Sequence, residues 1–459
     1  MVGEWLTATV DEIKAPGAHS IAMGPFGSNI TTDNFVPSGV PVIRGLNLNT
    51  ERFNDDGFVF LTEGKADELR SANAFPGDLV FTHRGTLGQV GIIPRNARYP
   101  RYVVSQSQMK LTCDPQKTNP LFVFYYFRSS SGQHALLANT STTGVPAISR
   151  PLTSLKSLRI PLPPLSEQRA IAHTLGTLDD KIELNRRMNE TLEAMVRAIF
   201  KSWFVDFDPV RAKMEGRQLN LPLPLEEGLA EGLDAETAAF FLDTFEDSPL
   251  GKIPKGWRVE TLGKVAAVNK RSITKDYPHR AIKYIDISSV TEGRLEGTTT
   301  HALADAPSRA KRLVKHGDTI WSTVRPNRKS YLFIHSPENN LVVSTGFAVL
   351  TPRSIPPSYL YAWVTTDQFV DYLAYNADGS AYPAVRPDRF TDAIILLPPT
   401  RVLQEFEQQA GPMRGRVAQN ERESRTLAAI RDALLPRLLS GEIRVKDVEK
   451  FVEATPHAI

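Results

Sequence analysis

Two segments of the chain repeat each other at a fixed offset, and this repeat restricts the possible folds more than any other feature of the sequence. Residues 162–200 align with residues 397–435 without gaps when Pro164 is paired with Pro399, an offset of 235. Ten of the 39 aligned pairs are identical, whereas average residue usage would give about two or three by chance. The chain of 459 residues is therefore expected to consist of two related halves.

Both copies of the repeat have the pattern of a long helix that follows a Leu-Pro-Pro stop. Apolar residues and two asparagines recur at spacings of four and three, which is typical of a heptad seam. Two such helices in one chain can pair with each other, and a single long amphipathic core helix is the alternative. The residues expected to pair are Ile182, Asn185, Leu192 and Ile199 in the first copy and Val417, Asn420, Leu427 and Leu434 in the second.

Each helical copy contains a helix-breaking residue at the same place. Gly176 interrupts the first copy, and Gly411-Pro412 interrupts the second. Because glycine and proline disfavour a helix interior, the sequence predicts that a short helix precedes a long one in each copy.

The segments before the two helices also resemble each other. Gly77-Asp78 and Gly317-Asp318 each open a short apolar run, and Val103-Val104-Ser105 has a counterpart in Val342-Val343-Ser344. Both blocks are rich in glycine, proline and β-branched residues, which favours irregular, strand-rich α+β domains. The predicted plan is domain, helix, connector, domain, helix.

Composition excludes several classes of protein. Lys and Arg total 54 and Asp and Glu total 51, a net charge of +3, so bulk positive charge cannot explain binding to an anionic partner. The single cysteine, Cys113, excludes a disulfide framework and a multi-cysteine metal site. No apolar run approaches the roughly 18 residues of a membrane span. We expect a cytoplasmic protein.

Catalytic motifs are missing from the sequence. It has no HExxH spacing, no Walker A sequence and no GxSxG elbow. We therefore expect a binding protein rather than an enzyme, with no metal or cofactor of its own.

Several loops mix basic residues with Asn, Gln, Ser and Tyr. Arginine can read guanine and Asn or Gln can read adenine through paired hydrogen bonds, although any single loop can also be a solvated turn. The candidate DNA-binding residues are Ser28, Asn29, Arg44, Asn47, Arg84 and Gln106 in the first block and Lys270, Arg271, Arg325, Asn327, Arg328, Tyr382 and Arg386 in the second.

Four segments of the chain are similar to those of one known family, namely residues 160–169 (IPLPPLSEQR), 200–210 (FKSWFVDFDPV), 251–257 (GKIPKGW) and 434–443 (LLPRLLSGEI). In these segments and in its repeat, the chain resembles the specificity subunit of type I restriction–modification enzymes. The resemblance implies an α+β fold, in which two target recognition domains alternate with two long helical regions that pair as an antiparallel coiled coil. The implied boundaries are 1–160 for the first recognition domain, 161–204 for the central helical region, 205–256 for a connector, 257–396 for the second recognition domain, 397–445 for the C-terminal helical region and 446–459 for a tail.

The resemblance also implies function and partners. The chain would be a non-catalytic subunit that reads a bipartite, asymmetric double-stranded DNA target and recruits two modification subunits and the restriction subunits. S-adenosylmethionine, ATP and Mg are expected in those partners. A helix from Leu178 to Phe204 would span about 40 Å at about 1.5 Å per residue, close to the 34–36 Å or so of one turn of B-DNA. The alternatives are a stand-alone DNA-modifying enzyme and a two-lobed protein scaffold.

Overall fold

The computed structural model describes residues 5–48, 52–141, 144–216, 235–379 and 382–448. Within these ranges the α-helices are α1 (Val10–Ile13), α2 (Glu63–Glu68), α3 (Pro120–Arg128), α4 (Ser130–Leu137), α5 (Pro151–Ser157), α6 (Leu165–Phe204), α7 (Asp208–Met214), α8 (Ala235–Ala239), α9 (Leu262–Val265), α10 (Pro357–Val364), α11 (Asp367–Tyr375), α12 (Pro387–Asp392) and α13 (Thr400–Ser440).

The strands before the middle of the chain are β1 (Thr7–Thr9), β2 (Ile21–Met23), β3 (Val40–Ile43), β4 (Val59–Leu61), β5 (Asn73–Ala74), β6 (Leu79–Thr82), β7 (Val90–Ile92), β8 (Tyr102–Val104), β9 (Gln108–Leu111), β10 (Thr140–Ser141), β11 (Ala147–Ile148) and β12 (Arg159–Pro161). The later strands are β13 (Phe245–Ser248), β14 (Gly251–Pro254), β15 (Arg258–Thr261), β16 (Ala266–Val268), β17 (Ala281–Ile285), β18 (Val290–Thr291), β19 (Arg294–Leu295), β20 (Thr299–Ala302), β21 (Ala310–Leu313), β22 (Thr319–Ser322), β23 (Tyr331–Phe333), β24 (Leu341–Ser344), β25 (Phe347–Pro352) and β26 (Ile394–Leu397).

Contacts group the chain into two compact units. Unit 1 comprises Met1–Leu184 with Arg422–Ile459, and unit 2 comprises Asn185–Glu421. Each long helix therefore contributes residues to both units. The domain boundaries expected from sequence follow the order of the chain rather than these contacts, and they stay predictions. Most of the expected tail, from residue 449 onward, lies outside the described residues.

Unit 1 contains two four-stranded sheets. One has the antiparallel order β2-β9-β6-β7. The other has the order β4-β3-β8-β5, in which β3 and β8 run parallel. The first strand of the unit, β1, pairs antiparallel with β12, so that Thr7 lies opposite Pro161. The beginning and the end of this strand-rich domain are therefore joined directly.

Unit 2 repeats this topology strand for strand. Its sheets have the orders β16-β25-β22-β23 and β20-β17-β24-β21, β17 runs parallel to β24, and β15 pairs with β26. The matching strands β6 and β22 each follow the Gly-Asp pair noted in the sequence. This match confirms the prediction of two related, strand-rich α+β domains.

The two long helices run antiparallel and pack together. In unit 1, Arg431 near the end of α13 donates to Asp179 in the first half of α6, with Nη1 2.8 Å from Oδ1. In unit 2, the rings of Phe200 and Phe406, from the end of α6 and the start of α13, lie 5.9 Å apart. The predicted antiparallel pair is confirmed.

The predicted helix breaks are wrong. The α6 helix continues through Gly176, and α13 continues through Gly411-Pro412. A glycine costs a helix interior only about 1 kcal/mol relative to alanine, which the packing of so long a helix outweighs. Proline removes the hydrogen bond to the carbonyl four residues earlier. Pro412 and Gln408 are both exposed, so water can replace that bond.

The most apolar segment of the sequence forms α3. Asn119 caps this helix, because its Oδ1 accepts hydrogen bonds from the main-chain N–H groups of Leu121 and Phe122. The α3 side chains share a core with Ile171 of α6 and Leu434 of α13. This core attaches the first strand-rich domain to the helix pair. No helix in the described part of the chain is long and apolar enough to cross a membrane.

The segment expected to be a connector also contributes to a core. Phe207 and Val210 follow α6 directly, and they are buried with Phe241 and Trp257 in unit 2. Farther along, β13 and β14 form a hairpin. The described parts of residues 205–256 therefore pack against the second strand-rich domain. Residues 217–234 lie outside the described ranges.

Candidate nucleic-acid interface

Four loops of unit 1 meet at the ends of its strands. The main-chain N–H of Ser105 donates to the Ile43 carbonyl at 3.0 Å, and that of His83 donates to Ser107 at 2.9 Å. Gly24 donates to the Gln108 carbonyl at 2.9 Å. We call residues 24–29, 44–47, 82–84 and 105–108 the first loop cluster. It brings together the four segments of the first block in which DNA-binding residues were predicted.

Gly24 has a structural reason to be glycine. A Cβ atom at this position would lie 1.9 Å from the main-chain oxygen of Ser105, well inside any tolerable contact. The loop that begins at Gly24 can therefore lie against the Ser105 loop only without a side chain there.

Three predicted residues of the first loop cluster face solvent. Asn29, Arg84 and Gln106 are exposed. The main chain of Arg84 forms a β-bridge with Ala147, which fixes the base of its side chain. Ser28 lies in the 3-10 turn Gly27–Asn29, and its side chain lies outside the description. The exposed set offers one guanidinium and two amides, the groups that read guanine and adenine.

Asn47 does not fit the predicted base-reading role. Its side chain is fully buried. Its Oδ1 accepts from the main-chain N–H of Arg44, and its Nδ2 donates to the carbonyls of Asn54 and Asp56, all at 2.9 Å. Arg44 is half-buried and donates to the Gly57 carbonyl at 2.9 Å. Both side chains therefore stabilise the loop through hydrogen bonds to main-chain atoms.

His83 is a structural residue of the cluster that sequence reasoning did not select. It is buried, and its Nε2 lies 3.1 Å from the main-chain oxygen of Gln106. Burial lowers the pKa of His83, which favours the neutral ring. The side chain therefore braces the turn that carries Gln106. An isolated histidine in a sequence gives no signal of this role.

A second group of predicted residues meets in unit 2. The main-chain N–H of Arg325 donates to the Pro383 carbonyl at 2.8 Å, and that of Val385 donates to Thr323 at 2.7 Å. We call residues 323–329 and 382–386 the second loop cluster. Unit 1 has the same arrangement, because Gly85 donates to Pro146 at 2.8 Å and Ile148 donates to His83 at 2.8 Å. The two clusters occupy equivalent places in the repeated fold.

Arg325 and Tyr382 form a stacked pair on the second loop cluster. The guanidinium carbon lies 4.7 Å from the centre of the tyrosine ring, within the range of a cation–π interaction. Tyr382 is 72% exposed, so one end of the pair faces solvent. The ring restrains the guanidinium in one orientation, as base recognition requires.

The remaining predicted residues of this cluster are also exposed. Asn327 and Arg328 lie on the turn Pro326–Arg328. Arg386 is exposed, with carboxylate oxygens of Asp378 and Asp388 at 3.6 and 3.8 Å. These two acids partly offset its charge.

Lys270 and Arg271 lie apart from the second loop cluster. Arg271 donates through Nη2 to Oδ2 of buried Asp318 at 2.7 Å, and Asp318 precedes β22 whereas Arg325 follows it. Burial raises the pKa of Asp318, and the positive charge of Arg271 opposes that rise. The predicted DNA contact of Arg271 therefore competes with an internal ion pair, while Lys270 is exposed.

The predicted pairing residues all lie on the covered faces of the long helices. Asn185, Ile199, Asn420 and Leu434 are buried, and Ile182, Leu192, Val417 and Leu427 are half-buried. The amide of Asn420 donates to Oδ1 of Asn189 at 2.8 Å. Among the described residues, no group of three or more His, Cys, Asp or Glu could hold a metal ion.

Comparison with known proteins finds similarity to one family. Residues 30–194 match the type I restriction modification DNA specificity domain. The chain is 24% identical over 409 residues to the MjaIX specificity subunit of Methanocaldococcus jannaschii, covering 85% of both chains. It is 27% identical over 427 residues to the HindI specificity subunit of Haemophilus influenzae, covering 80% of this chain and 86% of that one.

A solved structure has the same fold. The type I restriction–modification S subunit from M. genitalium superimposes with a TM-score of 0.56 at 16% identity, covering 95% of this chain and 96% of that one. The matched domain, these relatives and the shared fold together indicate a restriction–modification component. The particular kind that they indicate is a type I specificity subunit. The prediction of a non-catalytic specificity subunit, rather than a stand-alone enzyme, is confirmed by these relatives.

Proposed function

We propose that this subunit recognises a bipartite, asymmetric target in double-stranded DNA. One observation carries the proposal: two domains of identical strand order each present a loop cluster at an equivalent place. A protein with two equivalent reading surfaces is suited to a target with two specified halves and an unread gap.

The two halves of the target should differ in sequence. The first loop cluster exposes Asn29, Arg84 and Gln106, whereas the second exposes Asn327, Arg328 and Tyr382. Since base readout depends on which donors and acceptors reach the groove, unlike side chains at equivalent places favour unlike half-sites. The paired helices would set the length of the gap between them.

The chemistry of the complex would reside in partner subunits. We infer that the chain recruits two modification subunits and the restriction subunits in the cytoplasm. Those partners would bind S-adenosylmethionine, ATP and Mg. In support, the relatives are named as specificity subunits of restriction enzymes.

Methylome sequencing of the host with and without this gene tests the proposal. We expect the methylated motif that disappears with the gene to have two unlike specified halves separated by unspecified bases. A motif of one continuous run of bases would contradict the proposal. Methyl transfer by the purified chain alone would instead favour a stand-alone enzyme, and a reconstituted complex without sequence-specific DNA retention would favour a scaffold.

A further inference from the structure

Arg52 of the first recognition domain forms hydrogen bonds with one turn of α6. Its Nη2 donates to the main-chain oxygen of Gly176 at 2.6 Å, and its Nη1 donates to Oδ1 of Asp180 at 2.6 Å. The same Nη2 lies 3.1 Å from the hydroxyl of Tyr125, and Nε lies 3.4 Å from Oδ2 of Asp179. Every nitrogen of the guanidinium has an acceptor in this contact.

The α6 turn that Arg52 contacts is also hydrogen-bonded to the second long helix, α13. Asp179 is buried, and its Oδ2 accepts from the hydroxyl of Tyr125 at 2.5 Å. Its other oxygen accepts from Arg431 of α13 at 2.8 Å. A buried carboxylate with several charge-assisted partners has one favourable geometry. Arg52 therefore holds the recognition domain against both helices in one orientation.

The other side of Arg52 leads directly to the first loop cluster. The Arg52 carbonyl accepts from the main-chain N–H of Ile92 at 3.3 Å. Two residues farther along, the main-chain N–H of Asn54 donates to the Asn47 carbonyl at 2.8 Å. In turn, Nδ2 of Asn47 donates to the Asn54 carbonyl. The loop that carries Arg44 is thus connected to the helix pair through hydrogen bonds of Arg52 and Asn54.

Gly176 leaves room for the Arg52 guanidinium beside α6. A Cβ atom at this position would lie 3.3 Å from Nη2 of Arg52 and 3.3 Å from Cδ2 of Leu121. Both contacts are tight, and Leu121 packs against a buried core. The glycine in the middle of α6 is therefore explained by the approach of Arg52 rather than by a break in the helix.

We propose that Arg52 is a positioning residue that fixes the first loop cluster on the helix pair and so limits the gap length that the DNA target can have. The inference rests on the proposed bipartite function. A recognition domain that can rotate or slide on its helices should accept half-sites at more than one separation, while its loops still read the same bases. Arg52 itself touches no DNA in this scheme.

The test uses the complete restriction–modification complex with two variants of the full-length chain. Arg52→Met removes the guanidinium, and Gly176→Ala crowds it while favouring the helix. We expect methylation of targets whose gap is one base pair longer or shorter to rise about tenfold relative to the native target, equivalent to about 1.4 kcal/mol. The specified bases of both half-sites should stay the same. Methylome sequencing reads both quantities at once.

Two matched variants control for general destabilisation. Arg101→Met removes an arginine that pairs with Glu63 and Asp67 within the same recognition domain. Gly415→Ala changes another glycine inside a long helix, α13, where the nearest atom to a Cβ is Nε2 of His335 at 3.8 Å, an ordinary contact. Neither control should broaden the accepted gap.

Two results would overturn the inference. One is an unchanged single gap length in both Arg52→Met and Gly176→Ala. The other is equal broadening in the controls. If Arg52→Met fails to fold, the gap length accepted by Gly176→Ala alone tests the inference, because that variant retains every charged group of the contact. A wild-type motif without a gap would instead overturn the proposed function.

Discussion

The side-chain amide of Asn185 donates to the main-chain carbonyl of Asn420 across 3.4 Å, and these two residues are each other's counterparts in the internal repeat, 235 positions apart. Both are fully buried at the meeting point of α6 and α13. A buried asparagine in a helix seam costs stability but favours one register. The repeat thus places the same polar residue on both helices where they meet.

Replacing Asn185 with alanine should destabilise the protein. The change removes the donor to the Asn420 carbonyl in a buried seam, and such a loss costs about 1–3 kcal/mol. Urea unfolding followed by helical circular dichroism measures the effect. Leu184→Ala is the matched control, because Leu184 is the preceding residue and is 52% exposed, so we expect a change within about 0.5 kcal/mol. Equal losses in the two variants would contradict the prediction.

Replacing Arg325 with alanine should relax specificity in the second half-site alone. Its guanidinium is restrained on the ring of Tyr382, and losing one specific arginine–base contact costs about 1–3 kcal/mol. Arg84→Ala should act on the first half-site alone. Methylome motifs of the two variants measure the effects separately. Uniform weakening across all sequences would instead identify these arginines as phosphate contacts.

Alanine substitutions at Asn47 and Asn29 should have different effects on stability, although both residues lie in the first loop cluster. Asn47→Ala removes three buried hydrogen bonds and should lower the free energy of unfolding by about 1–3 kcal/mol. Asn29→Ala alters an exposed side chain and should leave stability within about 0.5 kcal/mol. Chemical unfolding of both variants tests the contrast. A stable Asn47→Ala protein would show that its amide bonds contribute little.

The stability of unit 1 should depend on pH through His83. Because burial lowers the pKa of His83, the unfolded chain takes up its proton first as pH falls below about 6.5. The folded state therefore loses stability in acid and regains it as pH rises. His83→Gln removes the titrating group but keeps a donor for the Gln106 carbonyl. Unfolding midpoints at about pH 7.5 and 5.5 should fall more for wild type, and equal falls would exclude His83 as the cause.

The sequence was sufficient to predict the repeat, the α+β class and the pairing of two long helices, and the family resemblance implied that the pair is antiparallel. Identical residues at a constant offset and a seam with spacings of four and three are long-range patterns, so many residues support each inference. A prediction that rested on a single residue was wrong. Gly176 indicated a helix break, because the sequence cannot show that an arginine 124 positions away approaches at that glycine.

Loop residues were the hardest to assign from sequence. Asn29 and Asn47 occur in similar polar loops, yet one is exposed and the other caps its own loop from within. Arg271 and Arg325 both follow strands, yet Arg271 pairs with a buried acid whereas Arg325 stacks on the exposed ring of Tyr382. The difference depends on contacts with segments far away in sequence. Burial and partner atoms, rather than residue type, separate a reading side chain from a structural one.

The closure of the first recognition domain by β1 and β12 has a consequence for how such a protein can change. The chain enters and leaves this domain through two paired strands, with Ala8 opposite Ile160, and β15 and β26 do the same for the second, with Val259 opposite Leu396. A module with adjacent ends can be exchanged for another without altering what it is attached to. Each strand-rich domain can therefore be replaced as a unit while the two long helices stay unchanged.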